Sequence, residues 1–184
     1  MTQLPLAPAP APHVISGPVM FVGLNSSTAT ADRDDPTIAK LARYVRGWGV
    51  ELAEPPVKYR EGGAGSRRYL LTRPGMVMTN LFSNRSTDPR GLLSREVQEH
   101  FDEAGDLHFL REAARRCPTI VCAWGGPYGP KALGELVGAR AKRVEEVLLA
   151  DGHTLHMLAL SQGGIPRHCL YLKGNLRPSL WRSP

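Results

Sequence analysis

The sequence predicts an α/β fold: three layers, α/β/α, around a central, mainly parallel sheet of four strands. Two observations carry the prediction. Four apolar runs, at 18–24, 75–82, 119–125 and 153–160, have the length of buried strands. Amphipathic patterns of helical period alternate with them, and such alternation implies parallel strands covered on both faces.

Residues 1–18 hold five prolines and no charged n-region, so they read as a flexible Pro/Ala-rich tail rather than a signal peptide or a helix. A single domain follows over 19–184. Its first strand, PVMFVGL, gives way at Gly23 to small polar side chains: Asn25, Ser26, Ser27 and Thr28. Asp35-Pro36 is an N-cap with proline at the first helical position, and Ile38, Leu41, Ala42 and Val45 then recur at helical spacing. Residues 51–74, with EPP and EGGAGSRR, read as a polar, mobile insertion with a short extra strand at 68–71. The second strand ends in Asn80 within TNLFSNRSTDP. A helix carrying Leu107, Leu110, Ala113 and Ala114 stops at Cys117-Pro118, and the third strand then ends in Trp124 and GGPYGPK. The longest helix covers 131–150, with Leu133, Leu136, Val137, Val144, Val147 and Leu148 on one stripe. The fourth strand leads through SQGGIPR to His168.

Composition narrows the function. A chain of 184 residues with 42% hydrophobic content suits one full core. The net charge of +6 suits a polyanionic partner, and equally a protein that is merely basic. Cys117, Cys122 and Cys169 lie far apart with no C-x-x-C pair, which argues against a disulfide framework, a zinc knuckle or an iron–sulfur cluster and fits a reducing cytoplasm. No apolar run approaches the ~20 residues of a membrane helix. GGPYGPK lacks the G-K-[ST] of a phosphate loop. His153 and His156, taken as one strand, point to opposite faces and make no metal cluster. No cofactor is expected.

In a parallel sheet, ligands sit outside the carboxyl ends of the strands. Two carboxamides and an imidazole at neighbouring ends can surround a small polar ligand. The segment RHCLYLKGNLRPSLWR, 167–182, adds Arg167, Lys173, Arg177 and Arg182 with interleaved aromatics and no acid, which suits a nucleic-acid backbone.

In their order, GLNS, VMTN, AWG and HCLYL resemble the motifs of the uracil-DNA glycosylase superfamily. NSSTA, DPT, NLF, RSTDP, AWG and GIPRHCLYL are similar, over about residues 20–172, to the DUF1643 family. The resemblance implies a uracil-DNA-glycosylase-like fold and a monofunctional DNA glycosylase acting as a monomer. It implies that Asn25 positions the attacking water and that His168 donates a hydrogen bond to the departing base, either as neutral imidazole or as imidazolium. Asn80 would read the edge of a flipped pyrimidine, with Ser26, Ser27, Thr28, Asp35 and Phe82 completing the base pocket. Leu170, Tyr171 and Leu172 would form the wedge that enters the duplex, and Arg85, Lys131, Arg167, Lys173 and Arg177 would contact DNA. Arg85, Thr87 and Asp88 have a second reading, as a brace for the turn after strand two.

Serine replaces the family proline at 26 and cysteine replaces it at 169, which loosens both turns. Ser27 stands where uracil-specific enzymes carry a tyrosine that excludes 5-substituents. The implied substrate is therefore a pyrimidine with a bulky polar 5-substituent, such as hydroxymethylated or glycosylated cytosine in phage DNA. Two rivals remain at this level: a hydrolase of free nucleotides or nucleosides, and a non-catalytic nucleic-acid-binding module.

Overall fold

The computed structural model describes residues 15, 17–26, 36–52, 57–61, 68–73, 75–85, 88–99, 101–126 and 129–184. In chain order the elements are β1 (Val19–Ser26), α1 (Pro36–Gly47), β2 (Val57–Glu61), β3 (Arg68–Arg73), β4 (Met76–Arg85), α2 (Arg95–Glu99), α3 (Glu103–Ala114), β5 (Thr119–Cys122), α4 (Lys131–Ala150), β6 (Leu155–Met157) and β7 (Ser179–Arg182). Single 3-10 turns lie at Pro89–Leu93 and Cys169–Tyr171.

The four expected strands are β1, β4, β5 and β6, which run parallel as neighbours in the order β4-β1-β5-β6. The sheet is larger than the four strands predicted. It has seven, in the order β2-β3-β4-β1-β5-β6-β7, with antiparallel pairing at both edges. Within the stretch read as a mobile insertion, β2 and β3 form a hairpin that adds to the β4 edge, from Val57↔Thr72 to Glu61↔Arg68. At the other edge SLWR pairs with β6. Edge strands need no continuous apolar run, which is why VKYRE and SLWR carry so weak a strand signal.

The alternation of β1 sorts its side chains between two cores. Val19 and Phe21 pack with Ile38, Leu41, Tyr44 and Val45 of α1. Met20 and Val22 pack with Leu107 and Leu110 of α3 and Leu133, Val137, Val144 and Leu148 of α4. Helices therefore cover both faces. The stripe that predicts α4 is the buried one, with an addition the pattern conceals: Arg140 lies within it, 4% exposed.

Three smaller expectations change. Ile15, assigned to the tail, packs into the α1 core, while residues 1–14 and 16 lie outside the described residues. His153 precedes β6 rather than belonging to it. His156 is buried with Nδ1 3.2 Å from the Ile120 carbonyl oxygen, a core histidine. Among the described residues, no helix is long and apolar enough to cross a membrane.

Candidate functional site

The chain leaves β1 for β4 on one side and later crosses to β5 on the other, so the carboxyl end of β1 is the topological switch point. Asn25 stands there. By strand alternation Gly23 and Asn25 continue the face of Val19 and Phe21. Gly23 is paired with Asn80, and a Cβ on Gly23 would lie 2.7 Å from Asn80 Oδ1. Glycine at 23 is what lets the Asn80 carboxamide lie against β1.

His168 arrives from the far side by a tight fold-back. Arg167 N–H donates to the Ala159 carbonyl at 2.9 Å, Ser161 N–H to that of Ile165 at 2.9 Å, and Gly125 N–H to that of Pro166 at 3.0 Å. Gly125 follows β5 with φ +81, and a Cβ there would sit 3.0 Å from His168 Cβ, so only glycine admits both the backbone conformation and the approach. Val22 pairs with Cys122, and Ala123 N–H donates to Val22 O at 2.8 Å. Continuing that register brings Gly125 level with Asn25. The adjacent strands β4 and β1 thus carry Asn80 and Asn25 near their carboxyl ends, and His168 lies against Gly125, three residues past the end of β5.

The half-buried His168 ring accepts a hydrogen bond at Nδ1 from Leu170 N–H, 3.3 Å, and so caps the 3-10 turn Cys169–Tyr171. A ring nitrogen that accepts carries no proton. The neutral ring is therefore protonated at Nε2 and donates from there. The Tyr171 ring lies 5.9 Å from that of His168, centroid to centroid, and is 71% exposed.

Helix α1 fastens the segment that follows. Tyr44 O–H donates to the Lys173 carbonyl at 2.5 Å, and Trp48 Nε1–H to that of Leu176 at 2.8 Å. Cys169 and Leu172 are buried on the same side. Burial, and then the neighbouring Cys169, push the Tyr44 phenol above its usual pKa.

Several expected residues lie elsewhere. Leu172 is 8% exposed and packs in the α1 core, so it is no part of a wedge. Leu170 is half-buried, which leaves Tyr171 as the projecting side chain. Phe82 is 1% exposed and packs on Phe101, ring centroids 5.5 Å apart; it is core rather than pocket wall. Trp124 turns to the other face, edge-on to Trp181 at 5.6 Å. Asp88 braces its turn by accepting from Arg90 N–H at 2.9 Å and from the Arg90 guanidinium, which holds its carboxyl below the usual range. Lys131 is exposed at the start of α4, 3.5 Å from Glu135. Arg167, Lys173 and Arg177 are exposed. The backbone of Arg85 pairs with that of Ser26, while Ser27, Thr28, Asp35 and Thr87 lie outside the described residues.

One basic surface escaped the sequence reading. Helix α1 carries Lys40, Arg43 and Arg46 and no acidic residue. Lys40 Nζ comes within 3.9 Å of where a Cβ on Gly174 would be, so this cation adjoins the segment of Lys173. The signal was available in PTIAKLARYVRG, with a cation every third residue, but only the tertiary fold joins it to the segment at 173–177.

A family model described as a protein of unknown function, DUF1643, matches residues 13–54 and 68–170. No curated protein and no solved structure matches the chain.

Proposed function

We propose that this chain, which belongs to the DUF1643 family, is a monofunctional DNA glycosylase that flips a modified pyrimidine out of the duplex and hydrolyses its C1′–N bond. The observation that carries this reading is that Asn25 and Asn80 stand on the paired strands β1 and β4 near their carboxyl ends, with His168 packed against Gly125 beyond the adjacent β5. On this reading the β4-β1-β5-β6 centre with its helices is the three-layer core of a uracil-DNA-glycosylase-like fold.

As the C1′–N bond breaks, its electron pair leaves with the base and positive charge builds on the sugar. Asparagine is no general base, but its carboxamide can hold a water by hydrogen bonds, which suffices when the bond breaks dissociatively. Water held by Asn25 adds its hydroxyl to C1′, and its proton passes to solvent. His168 Nε2–H supplies a hydrogen bond to the developing base anion, which is then protonated. With its Oδ1 buried against Gly23, Asn80 offers the base edge its Nδ2 donors. Tyr171, exposed beside His168, fills the space that the flipped base vacates, and the cations of α1 and 173–177 take phosphates. The substrate is a pyrimidine with a bulky polar 5-substituent, glycosylated hydroxymethylcytosine of phage DNA being the leading case. The protein then works as a cytoplasmic monomer in antiviral defence.

The test is incubation with duplexes carrying uracil, damaged bases and hypermodified cytosines, followed by cleavage at abasic sites and mass spectrometry of the released base. Release of the modified cytosine, poor release of uracil, and suppression of release in Ser27→Tyr with DNA binding retained are expected. Efficient uracil removal with 5-substituted cytosines ignored would refute the substrate assignment. No abasic site in any duplex would refute the activity.

A further inference from the structure

Strand β3 stops pairing with β4 at Leu71↔Met78, whereas β1 continues alongside β4 to Asn25↔Phe82. The register then jumps to Ser26↔Arg85, so β4 bulges by two residues, Ser83 and Asn84. The backbone groups of Leu81 and Ser83 lie at the start of this bulge, where Leu81 and Phe82 are both in the α3–α4 core.

Two buried side chains meet those groups. Arg140 Nε donates to the Leu81 carbonyl at 2.8 Å, and Ser83 N–H donates to Asp106 Oδ2 at 3.3 Å. Arg140 also donates from Nη1 to Glu103 at 3.0 Å and lies over the Phe101 ring, 5.1 Å from its centroid. Burial pulls the Arg140 pKa below its usual value, against the opposing pull of Asp106 and Glu103, and its Nη2 is buried without a hydrogen-bond partner among the described residues. A guanidinium in the apolar stripe of α4 is costly, and a hydrocarbon side chain of like size would pack there at no such cost.

We infer that Arg140 and Asp106 brace the end of β4: one donates to the Leu81 carbonyl and the other accepts from the Ser83 N–H, and together they hold the β4 bulge, and with it Asn80, in register with β1. They are positioning residues, touching no substrate, and their catalytic consequence rests on the glycosylase reading. The brace itself does not.

Two readouts separate these. In the native protein the Ser83 amide, which donates to Asp106, should exchange with solvent ~10²-fold or more slowly than an unprotected amide. Asp106→Ala should abolish that protection while the β5 amides stay protected, and Asp106→Asn, whose amide oxygen still accepts, should restore it. On DNA that the wild type cleaves, Asp106→Ala should lower the single-turnover rate of base release ~10-fold or more at unchanged duplex Kd, with Asp106→Asn recovering most of it. Fast Ser83 exchange in the wild type overturns the brace, whatever the variants do. Lost protection with an unchanged release rate overturns the positioning role. Absence of base release from every duplex sinks the glycosylase reading and the catalytic half of this inference, while the exchange data still decide the brace.

Discussion

On the glycosylase reading, His168 has two jobs that share one protonation state. Its Nδ1 accepts the Leu170 N–H that caps the turn bearing Tyr171, and its Nε2 carries the proton offered toward the site. An imidazolium cannot accept at Nδ1, so acid removes the cap and alkali leaves both hydrogen bonds intact. Base release should therefore persist as pH rises above neutrality and fall in acid. His168→Ala should lower the rate by ~10²-fold or more, and Asn25→Ala should nearly abolish it with folding and DNA binding unchanged. A pH–rate profile measured with the two variants checks this; a rate that declines as pH rises would mean that the imidazolium is the active form. The buried cysteines take no part in such chemistry. Burial pushes the Cys117 thiol up to about 11, and Cys122 higher than its usual value as well.

At the scale of elements, α1 and the segment after His168 act as one unit. Tyr44 and Trp48 hold the carbonyls of Lys173 and Leu176, and Leu172 is packed beneath them. This places Lys40 beside Gly174, next to Lys173, with Arg43 exposed one turn further along α1. Each cation that neutralises a phosphate releases a counterion, so each contributes about one to the slope of log K against log salt. Lys40→Ala and Arg43→Ala should each weaken duplex binding and lower that slope by about one, with no change in sequence preference. Lys173→Ala should behave alike. A salt titration reads all three directly, and slopes equal to that of the wild type would leave α1 outside the interface.

Across the whole molecule, the two helices on the far face of the sheet are tied by a bidentate pair in addition to Arg140–Glu103. Arg111 of α3 donates from Nε and Nη2 to Asp151, at the end of α4, at 2.6 and 2.5 Å. The Arg111 hydrogen bonds hold the Asp151 carboxyl below its usual range. A carboxyl whose pKa is depressed by folding contributes stability above its unfolded value, about 3.9, and loses it as pH falls through the lower folded value. The urea midpoint should fall through that acid range in the wild type. Arg111→Met should start from a lower midpoint near neutrality and lose less on acidification. Parallel losses in both proteins would show that the pair is not coupled to folding.

Local pattern settled much of this protein. Apolar runs placed all four parallel strands, because strands buried on both faces must be apolar throughout. Helical periodicity placed α1, α3 and α4, because each needs one face for the core. Motif order singled out Asn25 and Asn80, near the ends of adjacent strands, and His168, which packs against Gly125 beyond a third. What the pattern could not reveal depends on pairing across the fold. The β2–β3 hairpin and β7 are edge strands, defined by the neighbours they add to rather than by their own hydropathy. Leu172 and Phe82 match their motifs yet are buried, since exposure is decided by what packs on a residue. Arg140 reads as one more cation on a helix until the fold sets it against the Leu81 carbonyl, 59 residues away in the chain. Secondary structure follows from period and propensity, which are local; the edge of a sheet, the buried face of a loop and the partner of a charge are long-range contacts, and only the tertiary structure determines them.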